Sequence, residues 1–241
     1  MASESSAKPR KSKEPHNVYL VPFPKVVFLY PSFLMALVAG AVTLFNLDGG
    51  KVNPENTAST MVGLAFLLIL ASNLVVLGFD FPRATWLTLF FFIVAIVLGL
   101  WLVFMQKPEW AGVFSDIVTA VKPVANPTFY FFFASVLGLI YIAVMISVRF
   151  NYWEVRGNEL LHHRGILSDL VRYPTERLRI EKEIADVFEF MLLGSGNLVL
   201  TPRDSPRPIV LENVLMINKK EKALSSLLST IDVKIDVGDD E

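Results

Sequence analysis

The chain alternates between two kinds of hydrophobic pattern, and the change falls near residue 150. Before that point, apolar residues come in four long unbroken runs, at about 26–45, 60–79, 84–105 and 128–148. A helix needs about 20 apolar residues to cross a hydrocarbon core of about 30 Å, so each run predicts a transmembrane helix. None holds Asp, Glu, Lys, Arg or His in its interior. After Phe150 the period drops to two. Trp153 and Val155 are set on one face, Glu154 and Arg156 on the other, as in a half-buried strand.

The segments between the runs differ in kind. Residues 46–59 hold Asp48-Gly49-Gly50 and Asn53-Pro54, which is turn chemistry. Residues 108–121 instead carry Trp110, Val113, Phe114, Ile117, Val118 and Val121 at helical spacing. Pro108 suits a helix start, and Lys122-Pro123 ends the segment, because a residue before proline disfavours the α region. A short amphipathic helix flat on the outer membrane face is expected, with Trp110 at headgroup level. A partner-binding helix is the alternative.

Beyond residue 150, Gly157-Asn158 has the signature of a two-residue hairpin loop, and Glu159 to Arg164 returns as its second strand. Val171 and Tyr173, then Leu178 and Ile180, alternate with polar neighbours. Gly194-Ser195-Gly196 reads as a tight turn needing positive φ. Asn197 to Leu200 and Ile209 to Leu211 are further strands, separated by a turn-rich loop from Pro202 to Pro208. Strands at this spacing predict a small barrel or sandwich. Leu224, Leu227, Leu228 and Ile231 form one face of a closing helix, with Asn218 and Glu221 placed as a capping box.

Composition agrees with a membrane class: 53% of the 241 residues are hydrophobic and 19% charged, below the usual quarter. A long polar region precedes the first run, so Ala39-Gly40-Ala41 is not read as a signal-peptide cleavage site. The net charge of −1 is unevenly spread. Lys8, Arg10, Lys11, Lys13, Lys25, Arg83, Arg149 and Arg156 would lie on one side of the membrane, and Lys51, Lys107 and Lys122 on the other. That asymmetry predicts that both termini are cytoplasmic. Residues 1–25 read as a disordered basic tail, and residues 237–241 as an acidic one. From Arg149 onward the chain has 13 Lys/Arg against 16 Asp/Glu.

Within the spans, Ala36 and Gly40, Ala95 and Gly99, and Ala134 and Gly138 lie four apart, a spacing that lets helix backbones approach closely. Pro31 stands in the first turns of the first span, where it can bend the helix. Asn73, the most polar residue at depth, is expected to hydrogen-bond a neighbouring helix.

Little points to chemistry. The chain has no Cys, which excludes disulfides and thiolate sites. His162 and His163 are adjacent on a strand, so they face opposite ways and cannot share a metal. No His-x-x-x-His pair, P-loop or Gly-x-Ser-x-Gly elbow occurs. Glu181, Glu183 and Asp186 alternate with Lys182 as a solvated strand face would. No catalytic residue, cofactor, metal or nucleic-acid partner is assigned. The apolar stretch Phe188, Phe190, Met191, Leu192 and Leu193 has two readings. It is either a docking patch for a partner or the membrane, or a buried cover over one end of the β domain.

The order Tyr152-Trp153-x-Val155, Glu159-Leu160, Arg164-Gly165-Ile166-Leu167, Tyr173-Pro174 and Gly194-x-Gly196-x-Leu198, closed by an amphipathic helix, resembles the bacterial pleckstrin-homology (PH) domain family over about 150–236. The resemblance implies a partly open barrel of about seven strands closed by the helix, and an interaction or assembly role at the membrane. Specific phosphoinositide binding is not expected, because Arg156-Gly157-Asn158 is too short for a basic cup and the domain is net acidic. The expected whole is four transmembrane helices over 26–148, followed by a cytoplasmic PH-like domain over 149–236. The expected function is a non-enzymatic bacterial inner-membrane scaffold or accessory subunit, bound to a protein partner or to itself. The alternative is a small transport or membrane-stress component with the β domain as regulator.

Overall fold

The computed structural model describes residues 17–79, 82–120, 122–165, 169–175, 178–202 and 207–238. Four helices are long and apolar enough to cross a membrane: Lys25–Phe45, Thr57–Gly78, Ala84–Gln106 and Pro127–Phe150. The first is composite, a 3-10 turn at Lys25–Leu29 followed by α1 (Tyr30–Phe45). Pro31 stands in the first turn of α1, where its missing N–H costs nothing. Helix α2 (Thr57–Gly78) is capped by Asn56, whose side chain accepts from the amides of Ala58 and Ser59. Helices α3 (Arg83–Gln106), α4 (Pro108–Ala120) and α5 (Pro127–Phe150) follow, and Asn126 caps α5.

Helix α1 packs on both α2 and α5. Ala36 and Ala39 of α1, Phe66 of α2, and Tyr130 and Ala134 of α5 form the buried centre of the bundle. Phe66 meets Tyr130 and Phe133 edge-on at 5.3 and 5.2 Å, the arrangement ring quadrupoles favour. Asn73 donates to Ser32 Oγ at 2.8 Å, the expected interhelical bond. Two of the three small-residue pairs sit in these contacts. The third, Ala95 and Gly99, does not, and no described side chain of α3 is buried.

The other described residues build two larger antiparallel sheets and a separate two-stranded one. Strand β1 (Asn17–Leu20) precedes the helices; strands β2 (Leu47–Asp48) and β3 (Lys51–Val52) make a small hairpin in the first loop, where Gly49 and Gly50 supply positive φ. The larger sheet has the order β1-β4-β5-β6, with β4 Asn151–Arg156, β5 Glu159–Arg164 and β6 Asp169–Pro174. The second has the order β7-β8-β9, with β7 Arg179–Glu183, β8 Gly196–Thr201 and β9 Ile209–Val214. Arg156 pairs with Glu159, so Gly157-Asn158 is the two-residue loop expected, with Gly157 at φ 54°. Helix α7 (Ile217–Gly238) covers the shared core with Ile217, Leu224 and Leu227.

Several expectations are corrected. Residues 1–25 are not a disordered tail throughout. Val18 and Leu20 of β1 are buried in the β core, and Lys25 opens the first helix. Residues 1–16 lie outside the described part. The Asn218 and Glu221 capping box is not formed. The helix already begins at Ile217, and both side chains bind Lys182 instead. The first residues assigned to an acidic tail, Val237 and Gly238, belong to α7; residues 239–241 lie outside the described part, as do Ile166 and Leu167. The apolar stretch after Asp186 is a helix, α6 (Val187–Leu193).

Candidate functional site

The two histidines are held by aromatic neighbours on opposite faces of the larger sheet. In register, His162 lies across from Trp153 and His163 across from Tyr152. The His162 ring stacks on Trp153 at 3.9 Å and 5°, and its Nε2 is 3.0 Å from Asn151 Oδ1. Burial, then the nearby charges of Arg164 and His163, push its pKa below the ordinary value. His163 stacks on Tyr152 at 4.4 Å. Its Nε2 lies 3.3 Å from Glu154 Oε2, while Glu154 Oε1 accepts from Asn17 Nδ2 at 2.9 Å. Glu154 is therefore not on a solvated face as the alternation suggested; it is 8% exposed. A buried carboxylate needs such donors, and one of them comes from β1. No cluster of metal-ligating side chains occurs among the described residues.

The more distinctive place is the junction between the sheets and the helices. Pro22 bridges Val214, and the Phe23 amide donates to the Asn213 carbonyl at 3.4 Å. The segment before α1 thus touches both sheets, with β1 on β4 and Pro22-Phe23 on β9. Helix α6 completes the junction. Asp186, expected on a strand face, is its N-cap and accepts from the amides of Phe188 and Glu189. Gly194 closes it at φ 61°, the left-handed C-terminal position that favours glycine. Glu189 is buried and lies 3.7 Å from Lys25 Nζ. The Tyr30 hydroxyl donates to the Leu192 carbonyl at 3.5 Å. These contacts tie α6 to the start of the first apolar helix.

The candidate stretch divides between its two readings. Phe190 packs on the β core, Phe188, Leu192 and Leu193 are half-buried, and Met191 is 65% exposed. On the far side of the bundle, Trp110 and Val113 of α4 are exposed. Phe114, Ile117 and Val118 lie on the same helix, and Val121 is outside the described part.

Sequence reasoning missed β1 and the α6 cap, and both had a signal. Asn17-Val18-Tyr19-Leu20 alternates with a β-branched residue, but adjoins a Ser/Lys/Pro-rich stretch that set the reading. Asp186 followed three residues later by Glu189 is a helix-start pattern.

No protein family, no curated protein and no solved structure matches this chain.

Proposed function

We propose that the chain is a non-enzymatic scaffold or accessory subunit integral to the bacterial cytoplasmic membrane. Both ends lie in the cytoplasm, where a PH-like domain binds protein, either a partner chain or a second copy. The observation that carries this reading is the double attachment of the β domain. Strand β1 enters the larger sheet from before the first apolar helix, and β4 leaves the last apolar helix directly, with no linker between Phe150 and Asn151. Such a domain is held in one position against the helices, which suits presentation of a binding surface and not a tethered, roaming module.

The sheets of four and three strands with a C-terminal helix support the PH-like assignment. The seventh strand comes from residues 17–20 and not from the region that carries the resemblance. The tight β4–β5 hairpin supports a partner other than a phosphoinositide. The stacking of both histidines on aromatic rings supports a structural role for them.

The test is the native mass of the full-length protein in mild detergent, with every co-purifying chain identified. A defined homo-oligomer or stable complex is expected. A lone monomer, recovered from cross-linked membranes as well as from detergent, would refute the scaffold reading.

A further inference from the structure

A cleft of about 350 Å³ separates the first turns of α3 from α6, lined by Trp86, Leu87, Ile184, Val187 and Phe190. We propose that this cleft holds one acyl chain of a membrane phospholipid. The proposal rests on reading the four apolar helices as membrane-spanning.

Three observations fix the class of occupant. The first is position. The apolar run of α3 begins at Ala84, so Trp86 and Leu87 stand where hydrocarbon meets headgroups, a level Trp favours. The opposite wall, α6, is held at the start of the first apolar helix by Lys25 and Tyr30. The second is lining. None of these five described side chains is charged, so they offer a headgroup no ionic partner. A peptide would bring N–H and C=O groups to apolar walls that offer its backbone no partners; an acyl chain brings none. The third is continuity. No described side chain of α3 is buried, so the cleft opens onto a surface that would already face lipid. An apolar cavity of about 150 Å³ takes benzene; this one is more than twice as large.

The position of α6 gives such a lipid a consequence. A chain in the cleft would pack between α6 and the first turns of α3 and so join the β domain to that helix.

The experiment uses full-length protein in vesicles containing phospholipid with brominated acyl chains, which quench Trp on contact. Trp86→Phe and Trp101→Phe assign the quenching to each residue. Trp101, 59% exposed on α3, reports contact with bilayer lipid; Trp86 reports the cleft. Quenching of Trp86 should saturate at a several-fold lower fraction of brominated lipid than that of Trp101. Delipidated protein should retain about one phospholipid per chain by native mass spectrometry, and Val187→Phe, which fills the cleft, should lose it. Leu87→Phe, at a half-exposed position, makes the same test from the other wall if Val187→Phe folds poorly. Equal quenching curves, or equal retention in wild type and in a folded filled variant, would overturn the site while leaving the membrane reading intact. An unquenched Trp101 would overturn the membrane reading and the site with it.

Discussion

Leu20 lies in register opposite Trp153, and both are buried. Leu20, like Val18, precedes the first apolar helix, yet the rest of the core cluster it completes follows the last one. Leu20→Ala should destabilise the β domain by about 2–5 kcal/mol, the usual range for a buried leucine truncated to alanine. Denaturant unfolding in detergent, followed through Trp153 fluorescence, measures it. An unchanged midpoint would mean that β1 is not part of the folded core.

Gly63 is where the segment after α4 crosses α2. A Cβ there would stand 2.0 Å from the Pro123 carbonyl oxygen, and that oxygen belongs to backbone that cannot rotate away. Gly63→Ala should cost about 1–3 kcal/mol, as overpacking does, and lower the melting temperature in detergent. Gly99→Ala is the control. Nothing lies within 4 Å of its added methyl, and the better helix propensity should leave stability equal or slightly raised. Equal melting of the two variants would contradict the close approach at Gly63.

Ser32 and Asn73 are buried and bonded across α1 and α2. Ser32→Ala strands the amide in an apolar bundle and should cost about 1 kcal/mol. Asn73→Leu combined with Ser32→Ala should cost less than the two single changes added together, with a coupling of about 0.6–1.7 kcal/mol. Strict additivity in reversible unfolding would show that the bond carries no energy.

His162 predicts a pH dependence. Its folded pKa lies below the ordinary 6.5, chiefly through burial, so the unfolded chain binds the proton more readily. Stability is then full above about pH 6.5 and is lost as pH falls through the lower folded value. His162→Phe keeps a ring against Trp153 and removes the titration. It should flatten the acid side of a plot of melting temperature against pH. A variant with the same slope as wild type below about pH 6.5 would place the dependence elsewhere.

Local pattern was enough for every element whose cause is local. The four apolar runs became four helices, because a helix satisfies the backbone hydrogen bonds of such a run within the run itself. Gly157-Asn158 became a hairpin loop, and Gly194 took the positive φ its place required. Asn73 found a hydroxyl. The errors share another origin. Glu154 looks exposed by alternation, yet Asn17 from another part of the chain, together with His163, surrounds it with partners. Asn218 and Glu221 have the spacing of a cap, but Lys182 lies close enough to claim both.

By itself, then, the sequence determined the membrane-length helices, the change of period at residue 150 and the tight turns, since each follows from hydropathy or backbone sterics within a short window. Only the tertiary structure decided that residues 17–20 form an edge of the larger sheet, that α6 rests against the start of the first apolar helix, and that no described side chain of α3 is buried. Those outcomes depend on which surfaces meet. A four-residue strand or a seven-residue helix has too little periodicity to declare its partner, and becomes stable only where a distant segment covers it.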